Sequence, residues 1–184
     1  MFALWLGRFA GRDVREFGDG NPGAVNAFRA GGWRIGVPAL LLDFLKGAVP
    51  VAVAKYALGV AGFWLVPVAL APVAGHAFSP WLRFRGGKAV AVTFGVWCGL
   101  TLWEGPTVLG VLLGLVALFQ ENDGWTVMLA LLGLLGYWLV RGAAPEVYGV
   151  WAGNALMLAV KHRSGLFRGV TPRSWLQARG RRGT

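Results

Sequence analysis

Charge is scarce in this sequence, and acid is scarcer still. Of 184 residues, 14% are charged, with 18 Lys and Arg against 8 Asp and Glu and only 2 His. A soluble domain carries roughly 25% charged residues. A chain this short needs a wet surface to stay in water, so the shortage excludes an ordinary soluble domain. There is one cysteine, Cys98, inside an apolar run; an internal disulfide is excluded and no cysteine cluster exists to bind a metal. Residues 1–7 are apolar but too short for the core of a cleavable signal peptide, and no small-residue cleavage site follows them. What the chain has in quantity is apolar surface: 56% hydrophobic residues, 10 Trp and a mean hydropathy of +0.57. Lipid is the solvent for such a surface. The expected fold is all-α, a polytopic membrane helix bundle in one domain over residues 1–184.

A spanning helix needs about 20 apolar residues. The sequence offers six candidates, at 35–54, 60–78, 89–103, 106–120, 125–140 and 145–161. The third and fourth are divided at Glu104-Gly105-Pro106, read as a helix breaker. Residues 1–10 read as the inner end of a further, partial N-terminal helix.

Basic residues test this division. Arg8, Arg12, Arg15, Arg29 and Arg34 surround the first loop, Arg83, Arg85 and Lys88 fill another, and Arg163, Arg168, Arg173, Arg179, Arg181 and Arg182 fill a tail at 162–184. Two spans separate the first cluster from the second, and four separate the second from the third. Even numbers put all three on one face, the cytoplasmic one by the positive-inside rule. That implies a multi-pass protein of the plasma (inner) membrane with its active face and C-terminus in the cytoplasm. The formal net charge of +10 then addresses anionic lipid head groups and small anions rather than nucleic acid, because apolar runs break the charge into separate clusters. Asp43 and Lys46, three residues apart inside an apolar run, share one helix side and can neutralise each other.

Three polar elements fall on that face. The first reads GDGNPGAVNAFR from Gly18 to Arg29. Its opening matches G-x-G-x-x-G by letter, but no βαβ unit surrounds it, so a dinucleotide site is excluded. A turn-rich loop with amides, free backbone N–H groups and an Arg suits an anion; an ordinary polar connector is the alternative. The second reads GHAFSPWLRFRGGKAVA from Gly75 to Ala91. Gly86-Gly87-Lys88 before a helix lets the backbone approach a phosphate and adds a full charge; simple anchoring at the interface is the alternative. It is not a Walker A loop, since Leu82 takes the first glycine position and Ala89 the Ser/Thr position. The third is Lys161-His162-Arg163-Ser164, where His162 is either a site residue or a helix-end residue.

Together these elements resemble the bacterial acyl-phosphate:glycerol-3-phosphate acyltransferases. GDGNPGAVNAFR is similar to the family's GSGNxGxxNxxR. Leu41-Leu42-Asp43-Phe44-Leu45-Lys46-Gly47 is similar to LLDxxKG, and GHAFSPWLRFRGGKAVAV to GHxFxxxxxFxGGKGVAT. The departures are Asp19 for Ser, Val25 for Thr, Ala89 and Val92 for Gly and Thr, and Gly165 for the Asn of a final HRxNI. An acidic stretch, 120–123, also stands where a basic residue is usual.

The resemblance implies transfer of a fatty acyl group from acyl phosphate to the primary hydroxyl of glycerol 3-phosphate, giving lysophosphatidic acid. The mixed anhydride is already activated, so no cofactor is implied, neither coenzyme A nor a metal. Gly86, Gly87 and Lys88 are expected to hold one phosphate, and Arg29 with Asn21 and Asn26 the other, on a loop shaped by Gly20 and Gly23. His76 joins the substrate site, and His162 and Arg163 close it. No side-chain nucleophile is assigned, because Ser79 lacks a base. The substitutions leave two other readings: a degenerate relative that binds lipid or phosphate without transfer, and a small anion transporter.

Overall fold

The structure, a computed structural model, describes residues 1–175; Arg179, Arg181 and Arg182 of the basic tail lie outside the described residues. Among the described residues seven α-helices follow one another and no strand forms: α1 (Phe2–Phe9), α2 (Ala24–Ala52), α3 (Leu65–Ala77), α4 (Val90–Thr101), α5 (Glu104–Phe119), α6 (Asp123–Arg141) and α7 (Pro145–Leu166). Three stretches are long and apolar enough to cross a membrane, Ala24–Ala57, Gly62–Leu82 and Asp123–Arg141; α4 and α5 are apolar but shorter. All-helical architecture suits lipid, where every backbone polar group must be paired within its own segment.

The first long helix opens at Ala24, in the second half of the GDGNPGAVNAFR loop, but it is divided, so that its apolar part begins close to the expected residue 35. It breaks at Gly31 (φ −147°) and Gly32 (φ +61°). The Ala30 carbonyl exposed by that break accepts from the Arg12 guanidinium. The break between α4 and α5 falls at Leu102 and Trp103, just before the expected Glu104-Gly105-Pro106, which instead forms the first turn of α5. Leu102 leaves the helix at φ +55°, and Pro106 sits in the first turn of α5, where a missing N–H leaves no bond unmade. Further along, α6 opens on Asn122, whose side chain accepts from Gly124 N, and closes on Gly142 at φ +60°.

α2 and α4 cross closely because glycine lets them. A Cβ on Gly95 would stand 1.9 Å from the Phe44 carbonyl oxygen, on Gly99 2.5 Å from that of Ala48, and on Gly47 2.4 Å from that of Val92. In lipid no hydrophobic force presses helices together, so small residues that admit backbone contact do. The Gly95–Gly99 spacing announces this crossing, and a hydropathy profile does not register it. Behind the crossing lies the main core, where Trp97 and Trp138 stack at 5.8 Å.

The described part of the last stretch, residues 162–175, packs on the bundle. Its beginning, residues 162–166, is the final turn of α7. Residues beyond it fold back on the end of α5: Arg173 Nε donates to the Ala117 carbonyl, and Glu121 N to that of Thr171.

Candidate functional site

Helix α2, the loop before it and the turn before α4 meet at one end of the bundle. Lys88 Nζ lies 2.9 Å from Asp19 Oδ2. Asp19 Oδ1 accepts from Asn26 Nδ2 at 2.9 Å and from Asn21 N at 3.1 Å. Arg29 donates to Asn26 Oδ1 at 3.2 Å. Lys88 and Arg29, expected to serve two phosphates, are thus ends of one chain of polar contacts. Burial pushes the Asp19 carboxyl up, but Lys88, the Asn21 N–H and the Asn26 amide outweigh it and hold the group down at about 2. Glycine suits Gly18 because its backbone sits at φ +60°, where an L side chain is strained, and the Arg29 guanidinium occupies the space a Cβ would enter.

The Gly86-Gly87-Lys88 turn is pinned from below. A Cβ on Gly86 would meet the His76 carbonyl oxygen at 2.0 Å, and one on Gly87 would meet His76 Nε2 at 2.2 Å. Lys161, from α7, donates to the carbonyls of Gly86 at 2.8 Å and Ala77 at 3.0 Å. Buried His76 belongs to a network rather than standing alone: Lys46 Nζ is 2.5 Å from both Asp43 Oδ1 and His76 Nδ1. The Asp43–Lys46 pair therefore lies within α2 and ties that helix to α3. Ala89 caps α4 at φ +63°. The left-handed backbone costs an L-residue roughly 1–2 kcal/mol, and it is why glycine would suit this position.

Several of these groups line a cavity of about 1230 Å³. Its polar side carries Asp19, Asn21, Arg29, Lys88, Asp123, His162 and Arg168; Leu40, Leu41, Phe44, Val90, Phe94 and Val127 supply an apolar side. Gly23 and His76 are also on the lining. Gly20, Asn26, Gly86 and Gly87 lie outside it and shape its wall, while Arg163 is exposed and faces elsewhere. Arg168, in the turn just past the end of α7, lines the cavity. Asp123, 3.7 Å from Lys88, brings the acidic turn into the site. Asp43 and Asn122 line the cavity as well. Arg168, Asp123 and Asn122 were not reached from motif spacing, since each arrives through the packing of another helix, whereas Asp43 was marked by its spacing to Lys46 as an ion pair and not as a cavity residue. Among the described residues no group of three His, Cys, Asp or Glu side chains could hold a metal ion.

A membrane helix bundle whose cavity is lined by cations, amides and carboxylates together with apolar side chains suits an amphiphile with a polar head. Residues 1–171 match the sequence model of the glycerol-3-phosphate acyltransferase family. Glycerol-3-phosphate acyltransferase 1 of Thermotoga maritima is 40% identical, covering 91% of this chain and 90% of its own length. The glycerol-3-phosphate acyltransferase of Anaeromyxobacter dehalogenans is 39% identical, covering 91% and 85%. The crystal structure of PlsY, an integral membrane glycerol 3-phosphate acyltransferase, in its glycerol 3-phosphate form superposes with a TM-score of 0.82 at 26% identity, covering 96% of this chain and 90% of that one. Its lysophosphatidic acid form gives 0.71 at 27% identity, covering 91% and 87%. The chain belongs to the glycerol-3-phosphate acyltransferase family and is a membrane acyltransferase.

Proposed function

We propose that this chain moves a fatty acyl group from acyl phosphate to the primary hydroxyl of glycerol 3-phosphate, giving lysophosphatidic acid and inorganic phosphate. It works at the cytoplasmic face of the inner membrane, with helices α2 to α7 as six crossings and α1 as a partial one. The observation that carries the reading is the contact chain Lys88–Asp19–Asn26–Arg29 at the wall of a cavity lined by both polar and apolar side chains. Two phosphates must come close for this reaction, and clustered cations with amide donors are what permit it.

An arriving phosphate takes Lys88 from the Asp19 carboxylate, and the second phosphate lies against Arg29. The acyl chain runs along Leu40, Phe44 and Phe94. The hydroxyl oxygen attacks the acyl carbonyl carbon, the carbonyl–phosphate bond breaks, and phosphate leaves with the electron pair. His162 Nδ1 lies 2.9 Å from the Leu158 carbonyl, a contact that requires the proton on Nδ1 and leaves Nε2 as an acceptor. We assign Nε2 to the hydroxyl proton. Most of the acceleration comes from placing the hydroxyl against the carbonyl.

The test is direct. The full chain in detergent, given palmitoyl phosphate and glycerol 3-phosphate, makes lysophosphatidic acid, and Lys88→Ala lowers kcat/KM at least about 100-fold. A Lys88→Ala protein as fast as wild type overturns the assignment. Bound glycerol 3-phosphate without product overturns transfer itself.

A further inference from the structure

Gly165 occupies the position where the resembling motif HRxNI has Asn, and the space beside it is taken. A Cβ on Gly165 would stand 2.8 Å from Asn122 Oδ1. Asn122 comes from a different helix, at the start of α6, and its side chain is committed on both sides. Nδ2 donates to the carbonyls of Gly165 at 2.7 Å and Gly169 at 2.8 Å, while Oδ1 accepts from Gly124 N at 2.9 Å. One amide therefore closes the N-terminus of α6 and the C-terminal end of α7 together.

We infer that Asn122 and Gly165 are a reciprocal pair, in which the amide that the motif places on α7 is supplied here from the cap of α6. Asn122 is on this reading a positioning residue for acyl transfer, and Gly165 is the glycine that makes room for it. Its reach into the site is short. Asp123, the next residue, lies 3.7 Å from Lys88. Gly124 packs so closely on α7 that a Cβ there would meet the His162 carbonyl oxygen at 3.1 Å. The clip thus sets the distance between His162 on α7 and Lys88 at the head of α4. The inference rests on the cavity being the transfer site.

Five full-length proteins in detergent test it: wild type, Asn122→Gly, Gly165→Asn, Asn122→Asp and the exchange Asn122→Gly/Gly165→Asn. The readouts are KM and kcat for lysophosphatidic acid formation, and the thermal midpoint. Each single variant loses about tenfold or more in kcat, since small displacements at a reacting centre are costly. Asn122→Asp still accepts from Gly124 N and still caps α6, but it cannot donate to α7; its failure separates the clip from an ordinary helix cap. The exchange returns kcat to within about threefold of wild type, a coupling of opposite sign to the single losses. A fully active Asn122→Asp, an unimpaired Gly165→Asn, or an exchange no better than its parents overturns the pairing. Should wild type form no product, the transfer reading fails instead, and the same pattern in thermal midpoints still decides the pair.

Discussion

Adding one methyl group at Gly86 tests how tightly the phosphate turn is held. In Gly86→Ala the new carbon would start 2.0 Å from the His76 carbonyl oxygen and 2.7 Å from that of Ala77. Both obstacles are backbone at the end of α3, so neither can rotate away. Reaching 3.0 Å, the shortest separation such carbons show, requires a move of about 1.0 Å. The turn cannot move as a free loop, because Lys161 holds the Gly86 carbonyl at 2.8 Å and Gly87 N donates to the His76 carbonyl at 3.2 Å. Lys88 is two residues further on and inherits the shift. A displacement near 1 Å at a reacting centre lowers the rate about 100-fold, equivalent to about 2.7 kcal/mol, and forcing the methyl in costs a further 1–3 kcal/mol or so of stability. The matched control is Gly75→Ala in α3, whose Cβ would find nothing within 4 Å; its activity stays at the wild-type level. Lysophosphatidic acid formation with kcat and KM resolved is the assay, beside a thermal midpoint for each protein. A Gly86→Ala enzyme within threefold of wild type, or an equal loss in Gly75→Ala, refutes the account of a turn fixed by backbone contact.

Asp19 titrates at about 2 when folded against an ordinary 3.8. Its pairing therefore adds stability above pH 3.8 that fades as pH falls through 2, and it adds less than about 1 kcal/mol because the group is about half exposed. The midpoint difference between wild type and Asp19→Asn is flat from pH 5 to 8 and shrinks below 4; a difference that grows on acidification would contradict this. At Ala89, glycine relieves the φ of +63° but loses a buried methyl and gains unfolded-state freedom, so Ala89→Gly stays within about 0.5 kcal/mol of wild type. Ala89→Val, β-branched in the same backbone, loses about 2 kcal/mol or more. Equal thermal midpoints for the Gly and Val variants would show that the backbone at Ala89 is not what limits the position.

Much of this site was legible in the sequence because its parts are short-range. A loop of Gly, Asn and Arg, a Gly-Gly-Lys turn and a pair at Asp43 and Lys46 declare themselves by spacing, and a shared membrane face confines them to one end of a bundle. What spacing could not supply was contact between helices. Arg168, in the turn after α7 ends at Leu166, lines the cavity and the exposed Arg163 does not, because the chain folds back there on the end of α5. Likewise the short helical stretch at Ala24–Ala30, set off from the apolar part of α2 by the break at Gly31 and Gly32, is polar enough that a hydropathy window rejects it. Lys161 and Asn122 bond backbone carbonyls on other helices, and no pattern in their own segments marks that.

The substitutions that set this chain apart from its motif are not independent losses. Aspartate at 19 would be repulsive beside a phosphate if it stood alone, but Lys88 and the Asn26 amide already hold it. Lys88 in turn faces a second carboxylate, Asp123, on the turn where the motif's family usually has a base. Two acids and one lysine form a local balance, and changing either acid alone disturbs the lysine that both address. The same α6 turn that brings Asp123 also brings Asn122 into the space that Gly165 vacates. Asp19, Asp123, Asn122 and Gly165 are thus neighbours in space, gathered where the start of α6 approaches Lys88. Restoring serine at 19 by itself should then do less than the motif suggests: Asp123 still engages the lysine, and KM for glycerol 3-phosphate falls by no more than about fivefold, the worth of one exposed ion pair.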